Sequence, residues 1–435
     1  MIDIHLLREN PEVFKTTAVN KGMDASIVDT LLKVDTELSA LRLEVETERA
    51  QQNATAKKIS QLEGTKRDEA IADMQTGKEA FKKQEEKLRE LEAEFQHLIL
   101  LMPNPTLEKV PVGKDDTENV EIRTWGELPT FDFEAKDHIT LGESLDIIDI
   151  PRGVKVSGSR FYFLKNEGAM LELAILRYTL EKLVSKGFTP FVPPVLVKHE
   201  AMTGTSYFPG GEEQTYAVGV QKEKDGELEA DGLYLVGTSE VPVASYHYDE
   251  MLSEEELPKL YAGISNCFRR EAGTYGKDTQ GLYRIHQFQK VEQVVISKND
   301  PEESARLHDM ILKNAEEVLQ DLKLPYRVVD VCTGDIGQGQ VYKNDIETWM
   351  PSRDSYGETH SCSTFYEFQS RRLKLRYKDA EGKKKFCHTL NNTCIASPRI
   401  LIPLLEIYQQ ADGSVVIPEV LRPYMMGKEV ITTKK

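Results

Sequence analysis

The chain has 435 residues, of which 40% are hydrophobic and 29% charged, a globular composition with length enough for two or three domains. A formal charge of −17 argues against non-specific coating of DNA, and no run of 18 apolar residues is present to span a membrane. Five cysteines (Cys267, Cys332, Cys362, Cys387 and Cys394) form no C-x-x-C pair, and Met1 to Asn10 holds no signal-like apolar core. The expectation is a cytoplasmic protein with neither disulfides nor zinc.

From about residue 25 to 100 a heptad rhythm dominates. Leu31, Leu38, Val45 and Ile59 recur at multiples of seven, with Val34, Leu41 and Leu62 at the companion positions. After Gly64 a second series runs through Met74, Phe81, Leu88 and Phe95, with Leu91 and Leu98 beside it. Two such segments joined by a turn predict an antiparallel helical hairpin about 50 Å long. Its seam is polar in the middle, where Glu48, Gln52 and Thr55 oppose Gly77 and Gln84. An oligomerisation coiled coil would show the same heptads.

Pro103-Asn104-Pro105 ends the second helix, so the arm is expected over 1–102, a linker over 103–120, and mixed helices and strands over 121–435. Glu167 to Lys186 reads as an amphipathic helix closed by Gly187, and Phe188 to Val197, rich in proline, as an edge-type strand. Strands are expected at Cys267 to Glu271 and Ile285 to Ile296, a helix over 302–321, two strands flanking Glu358, and a final helix from about Pro398 to Gln409. Arg371 to Lys385 carries eight Lys and Arg against two acids and reads either as a solvated hairpin turning at Asp379 to Gly382 or as an RNA contact.

Familiar phosphate-binding loops are missing. Gly273 to Asp278 has the wrong glycine spacing for a P-loop, and Gly334, Gly337 and Gly339 do not make the dinucleotide fingerprint. The informative stretch is Phe268-Arg269-Arg270-Glu271, a loop, then Arg284-Ile285-His286-Gln287-Phe288. On a strand Arg269 and Glu271 would share a face, as would Arg284, His286, Phe288, Lys290 and Glu292. A face carrying cation, ring and acid makes a poor core and a good ligand surface: arginine clamps phosphate, and a carboxylate accepts from an amino group.

That stretch resembles motif 2 of the class II aminoacyl-tRNA synthetases. Residues 167–197 resemble their motif 1, and Ala396-Ser397-Pro398-Arg399 their motif 3. More specifically the chain is similar, over nearly all its length, to the bacterial-type seryl-tRNA synthetases. Leu6 to Pro11, the helical arm, Arg160 to Leu164, Gly237 to Pro242, Gly276-Lys277-Asp278-Thr279, Ser361-Cys362-Ser363 and Val420 to Tyr424 carry the likeness.

The resemblance implies an α+β fold, a two-helix coiled-coil arm joined to a class II catalytic domain on a mostly antiparallel sheet. It implies an enzyme that activates L-serine with ATP and transfers it to tRNA(Ser), with tRNA(Sec) a second candidate acceptor. Arg269 would hold the α-phosphate and the serine carboxylate, Glu271 the adenine amino group, Phe288 the ring, and Arg399 the γ-phosphate. Arg270, Arg284, Thr359 and His360 would complete the ATP site. Glu358 with Ser361 would hold Mg²⁺, with Arg269, Arg399 and Glu358 as the catalytic set. Thr238, Ser239, Glu240, Arg269, Glu292, Asn391 and Thr393 would line the serine site. The arm, through Lys57, Lys58, Lys66, Arg67, Lys78, Lys82 and Lys83, would hold the long variable arm of the tRNA across a homodimer built on motif 1; no DNA or membrane partner is implied.

Three positions depart from the family pattern: Asn391-Asn392-Thr393 where Asn-Gly-Ser is frequent, Pro398 before the arginine, and His360 in place of serine. A silent RNA-binding relative would have lost the ATP residues, which are all present. An enzyme charging a carrier protein would lack the arm, and a synthetase for another small amino acid would lack the Thr238-Ser239-Glu240 segment.

Overall fold

The computed structural model describes residues 1–61, 63–221, 228–273 and 281–433. They divide into two compact units, Met1–Pro103 and Asn104–Lys435. Leu62 and the segment Gly276-Lys277-Asp278-Thr279 lie outside the described residues, as do the side-chain positions of Lys66, Met74, Gly77 and Lys78.

In the first unit, α1 (Ser26–Ile59) and α2 (Thr65–Leu101) form the expected hairpin. Arg42 pairs with Glu92 at 2.9 Å, and one heptad later Arg49 pairs with Glu85 at 2.6 Å, so the helices run antiparallel. Val34, Leu38, Leu41, Val45 and Leu91 are buried along the seam, with Phe81, Leu88, Phe95 and Leu98 packed on them. Glu48 and Gln52 remain half-buried in the polar middle. The short helix Ile4–Glu9 is pinned to α1 by Arg8, whose Nε and Nη2 bind the two oxygens of buried Asp35 at 2.7 and 2.8 Å.

In the second unit Asn104 is already fastened, its amide donating to Gly339 O (3.1 Å) and Phe365 O (3.0 Å), so the stretch after Pro103 is bonded to this unit. An eight-stranded sheet forms its centre. In chain order the strands are β1 (Val120–Trp125), β2 (Thr189–Phe191), β3 (Lys259–Phe268), β4 (Gln287–Ser297), β5 (Tyr326–Asp330), β6 (Tyr342–Met350), β7 (Ser355–Tyr366) and β8 (His388–Ser397). Their spatial order is β1-β5-β6-β7-β8-β4-β3-β2. Every pairing is antiparallel except that of β2 with β3. The expected strand Phe188 to Val197 is broken: only Thr189–Phe191 joins this sheet, at its edge, where Pro190 owes the ladder no hydrogen bond on its open side, while Leu196–Lys198 pairs in a separate three-stranded sheet.

Helices α3 (Asn166–Ser185), α4 (Pro301–Asp321) and α5 (Leu401–Ile407) pack with Val291, Val295, Leu390 and Ile395 in the main core. On the opposite face Val294 and Ile296 are covered by Val243, Leu373, Leu375 and Tyr377. That second cover stops short of residues 288–292 of β4, and the uncovered stretch becomes the site.

Four boundaries differ from the sequence reading. β3 ends at Phe268 and β4 begins at Gln287, so Arg269, Glu271, Arg284 and His286 belong to the connection and not to strands. Glu358 lies within β7, not between two strands, and α5 starts at Leu401, three residues after Pro398. The basic stretch is a helix (Phe368–Leu373) followed by a hairpin (Arg376–Lys378 and Lys384–Phe386), turning at Asp379 to Gly382. Gly382 takes a φ of +77°, which glycine alone adopts without strain.

A file of buried amides locks α4 to the sheet. Asn314 on α4 donates to Gln293 on β4 (2.7 Å), Gln293 donates to Asn392 on β8 (2.7 Å), and Asn392 donates to Ser361 O on β7 (3.3 Å). This gives the Asn392 departure a structural reason: its side chain faces α4, away from Thr393. Gln293→Leu leaves the Asn314 amide N–H and the Asn392 amide oxygen buried without the partners Gln293 gives them, and we expect about 2–4 kcal/mol of lost stability in urea unfolding. The smaller deletion Ile311→Val on the same helix should cost about 1 kcal/mol.

Candidate active site

A cleft of about 340 Å³ opens over β4, β7 and β8, lined by Arg269, Glu271, Phe288, Lys290, Lys343, Glu358, Thr359, His360, Ser361, Thr393 and Arg399 among others. Two bulges shape its wall. At β7 the pairing of Ile346 with His360 and of Glu347 with Glu358 leaves Thr359 as an extra residue. At β8 the pairings Val291 with Ile395 and Glu292 with Thr393 leave Cys394 extra. Residues three apart on a regular strand face opposite ways; the extra residue brings Glu358 and Ser361 to one cleft, and likewise Thr393 and Ala396.

Arg399 is fixed by two carbonyls, Nε to Tyr283 O at 3.2 Å and Nη1 to Glu358 O at 2.9 Å, and its guanidinium sits 4.4 Å from the Tyr283 ring centre. The same nitrogen lies 3.6 Å from the Glu358 carboxylate. Desolvation in the cleft pushes the Glu358 carboxyl up, but Arg399, Lys343, Arg269 and Arg284 together outweigh it and hold it below the ordinary carboxylate value. Arg269 lies over the Phe288 ring at 5.2 Å, and its backbone is tied to His286 by two 3.0 Å hydrogen bonds. Glu271 has a φ of +49°, accepts Arg284 Nη1 at 3.3 Å and reaches the cleft with Arg269 although neither is on a strand.

At one end of the cleft a small polar cluster surrounds the buried Glu292 carboxylate. It accepts from Thr238 (3.4 Å), Thr393 (3.3 Å) and the Lys290 ammonium, which also donates to Thr393 at 3.3 Å. Glu240 is tied to Thr238, its backbone N–H donating to the Thr238 hydroxyl at 3.2 Å. Burial and the Glu292 charge push the Glu240 carboxyl up to about 7, against Gln369, Lys290 and Tyr207.

Not every expected residue arrives. The Ser239 hydroxyl is committed to Gly263 O at 3.1 Å, Arg270 lies over Tyr216, and buried Asn391 does not line the cleft; Thr238, Glu240, Glu292 and Arg284 adjoin its lining residues without lining it themselves. His360 does line it, buried and pushed down to about 3 by that burial, hence neutral; its Nδ1 pairs with Thr359 Oγ1 at 2.7 Å. Sequence reasoning passed over Lys343, held at 2.9 Å by Asp345, and Tyr283. Lys343 had only the alternation of β6 to signal it.

Among the described residues no group of three His, Cys, Asp or Glu could hold a metal alone. Glu358 and Ser361 offer two hard oxygens, which suits a magnesium ion whose remaining ligands come from phosphate. The arrangement as a whole suits an anionic, extended ligand: cations at Arg269 and Arg399, a ring at Phe288, and a compact acid-and-hydroxyl pocket beside them.

Comparison with known proteins agrees. Residues 1–106 match the family model for the seryl-tRNA synthetase N-terminal domain, and residues 222–408 that for the class II core domain of the G, H, P, S and T synthetases. The serine–tRNA ligase of Deinococcus radiodurans is 46% identical over 431 residues, covering 99% of both chains. The seryl-tRNA synthetase of Pyrococcus horikoshii complexed with ATP superposes with a TM-score of 0.89 at 39% identity, covering 100% of both chains. The cytoplasmic serine–tRNA ligase of Naegleria fowleri in complex with AMP gives 0.85 at 31% identity, covering 100% of this chain and 99% of the other. The chain therefore belongs to the seryl-tRNA synthetases of class II.

Proposed function

We propose that the cleft activates L-serine with ATP, through the residues placed there, before the amino acid passes to tRNA(Ser). The observation that carries this reading is Arg269 and Arg399 in one cleft beside the Thr238–Glu292–Thr393 pocket. The serine carboxylate oxygen attacks the α-phosphorus while the bond to the β-phosphate breaks and pyrophosphate leaves. Arg269, 5.2 Å from the centre of the Phe288 ring on which adenine stacks, meets both anions; Arg399 meets the departing end. Magnesium held by Glu358 and Ser361 would neutralise phosphate charge when bound. No side chain need act as nucleophile. The 3′-terminal ribose hydroxyl of tRNA then attacks the seryl carbonyl and AMP leaves.

Specificity follows from burial. Glu292, Thr393 and Thr238 present acid and hydroxyls where the serine hydroxyl docks, and an alanine there would strand them unpaired. Glu240 receives the ammonium. The hairpin of the first unit, with Lys57, Lys58, Arg67 and Lys83 exposed, holds the variable arm of the tRNA through its phosphates. The unit after Pro103 performs the chemistry, as a homodimer through residues 167–197, in the cytoplasm.

ATP–pyrophosphate exchange tests this directly. Among serine, threonine, alanine, glycine and cysteine, we expect serine alone to support exchange, with Arg269→Ala reducing it at least about a hundredfold; exchange without serine preference would overturn the assignment. Because a carboxylate, not a carboxylic acid, attracts ammonium, kcat/KM for serine should fall as pH drops through about 7. Replacing Lys57, Lys58 and Lys83 by alanine should raise KM for tRNA several-fold and flatten its salt dependence, with serine-dependent exchange unchanged.

A further inference from the structure

Glu240 is a carboxylate with 7% of its surface exposed, beside a second acid, and something must fix both its charge and its direction. Two side chains from distant parts of the chain reach it. Gln369 Nε2, in the helix Phe368–Leu373, donates to Oε1 at 2.8 Å, and the Tyr207 hydroxyl donates to Oε2 at 3.3 Å. The Gln369 amide cannot turn over. Its nitrogen also donates to Thr205 O at 3.2 Å, so two acceptors, a carbonyl and a carboxylate, stand on that side. Its oxygen takes the Thr389 hydroxyl at 2.6 Å. Gln369 is 1% exposed and Thr389 likewise, so solvent cannot replace either partner.

We propose that Gln369, backed by Thr389 on β8, is a positioning residue that aims Glu240 at the amino group of the substrate and favours its anionic form. The inference rests on Glu240 as the ammonium acceptor and adds what sustains it. Glu292 on β4 opposes the Glu240 charge, while Lys290 on β4, Tyr207 and Gln369 favour it. Burial lifts the Tyr207 phenol far above neutrality, so it remains a neutral donor. Gln369 is thus the neutral donor that most favours the carboxylate. Removing it leaves Glu240 buried beside Glu292 with one donor fewer, so a larger share of the carboxyl is protonated at neutral pH. A protonated Glu240 no longer draws an ammonium.

The test compares Gln369→Met, of similar length without a donor, with Gln369→Glu, and with Glu240→Gln. At pH 7 we expect Gln369→Met to raise KM for serine roughly ten- to a hundredfold, the range of a hydrogen bond to a charged group. KM for ATP and kcat should change less than about threefold. The deficit should shrink as pH rises to 8.5, because the pH midpoint of kcat/KM for serine moves upward. Gln369→Glu, which replaces the donor by an acid, should show a larger shift of the same midpoint. A purely structural Gln369 would lower kcat and the thermal midpoint and raise both KM values together, with no movement of the pH profile, and that outcome overturns the proposal. If Glu240→Gln leaves KM for serine unaltered, the serine-site reading itself fails; if it raises KM while Gln369→Met does not, only the positioning role fails. Should Gln369→Met fold poorly, Tyr207→Phe and Thr389→Val probe the same cradle, and an unshifted pH profile in both would count against it.

Discussion

The catalytic unit is organised by one inequality: the inner strands of its sheet are packed under α3, α4 and α5 on one face and are covered only in part on the other. On β4 the residues Val291, Gln293 and Val295 turn to α4 and the main core, whereas Val294 and Ile296 turn to a smaller cluster. Phe288, Lys290 and Glu292 share the face of Val294 but lie beyond that cluster. Charges on that stretch are near enough to low dielectric to be strong, and open enough to meet a ligand. Covering the stretch would require Lys290 and Glu292 to be satisfied by protein alone. Leaving it bare would expose the Glu292 pocket to bulk water and weaken each contact it makes.

Such a face must be rigid, and the rigidity is polar. The amide file from Asn314 through Gln293 and Asn392 to Ser361 O crosses β4, β8 and β7 beneath the cleft. Its members are buried and mutually satisfied, so any slip in register would strand several amides at once. The same logic holds at Glu240, where Gln369 and Tyr207 converge from outside the sheet. In both places buried hydrogen bonds, more than apolar packing, fix where a functional oxygen points.

Much of this was legible beforehand because it repeats or clusters. Heptads at Leu31, Leu38 and Val45 announced the hairpin, since a seven-residue period has few other uses. The density of Arg269, Glu271, Arg284, Phe288 and Glu292 in one short stretch marked a ligand surface. Strand continuity does not hold there: alternation would put Arg269 and Glu271 on one face, yet β3 stops at Phe268 and Glu271 turns to a φ of +49°. They still meet in the cleft, for a reason alternation does not supply. Ser239 and Arg270 looked equivalent to their neighbours, but one hydroxyl is taken by Gly263 O and one guanidinium lies over Tyr216.

Periodicity and local residue density are properties of neighbours along the chain, so they disclose the helical hairpin, most of the helices and strands and the chemical inventory, but not where β3, β4 and α5 begin or end. That Glu358 and Ser361, three residues apart, meet in one cleft follows from folding, since the bulge at Thr359 arises from register with β6. Folding also brings Gln369 to Glu240 across 129 positions of sequence and Thr393 to Glu292 across 101. Hydrogen bonds between distant segments leave no periodic trace, because each partner's identity matters only after the sheet has closed and excluded water around it.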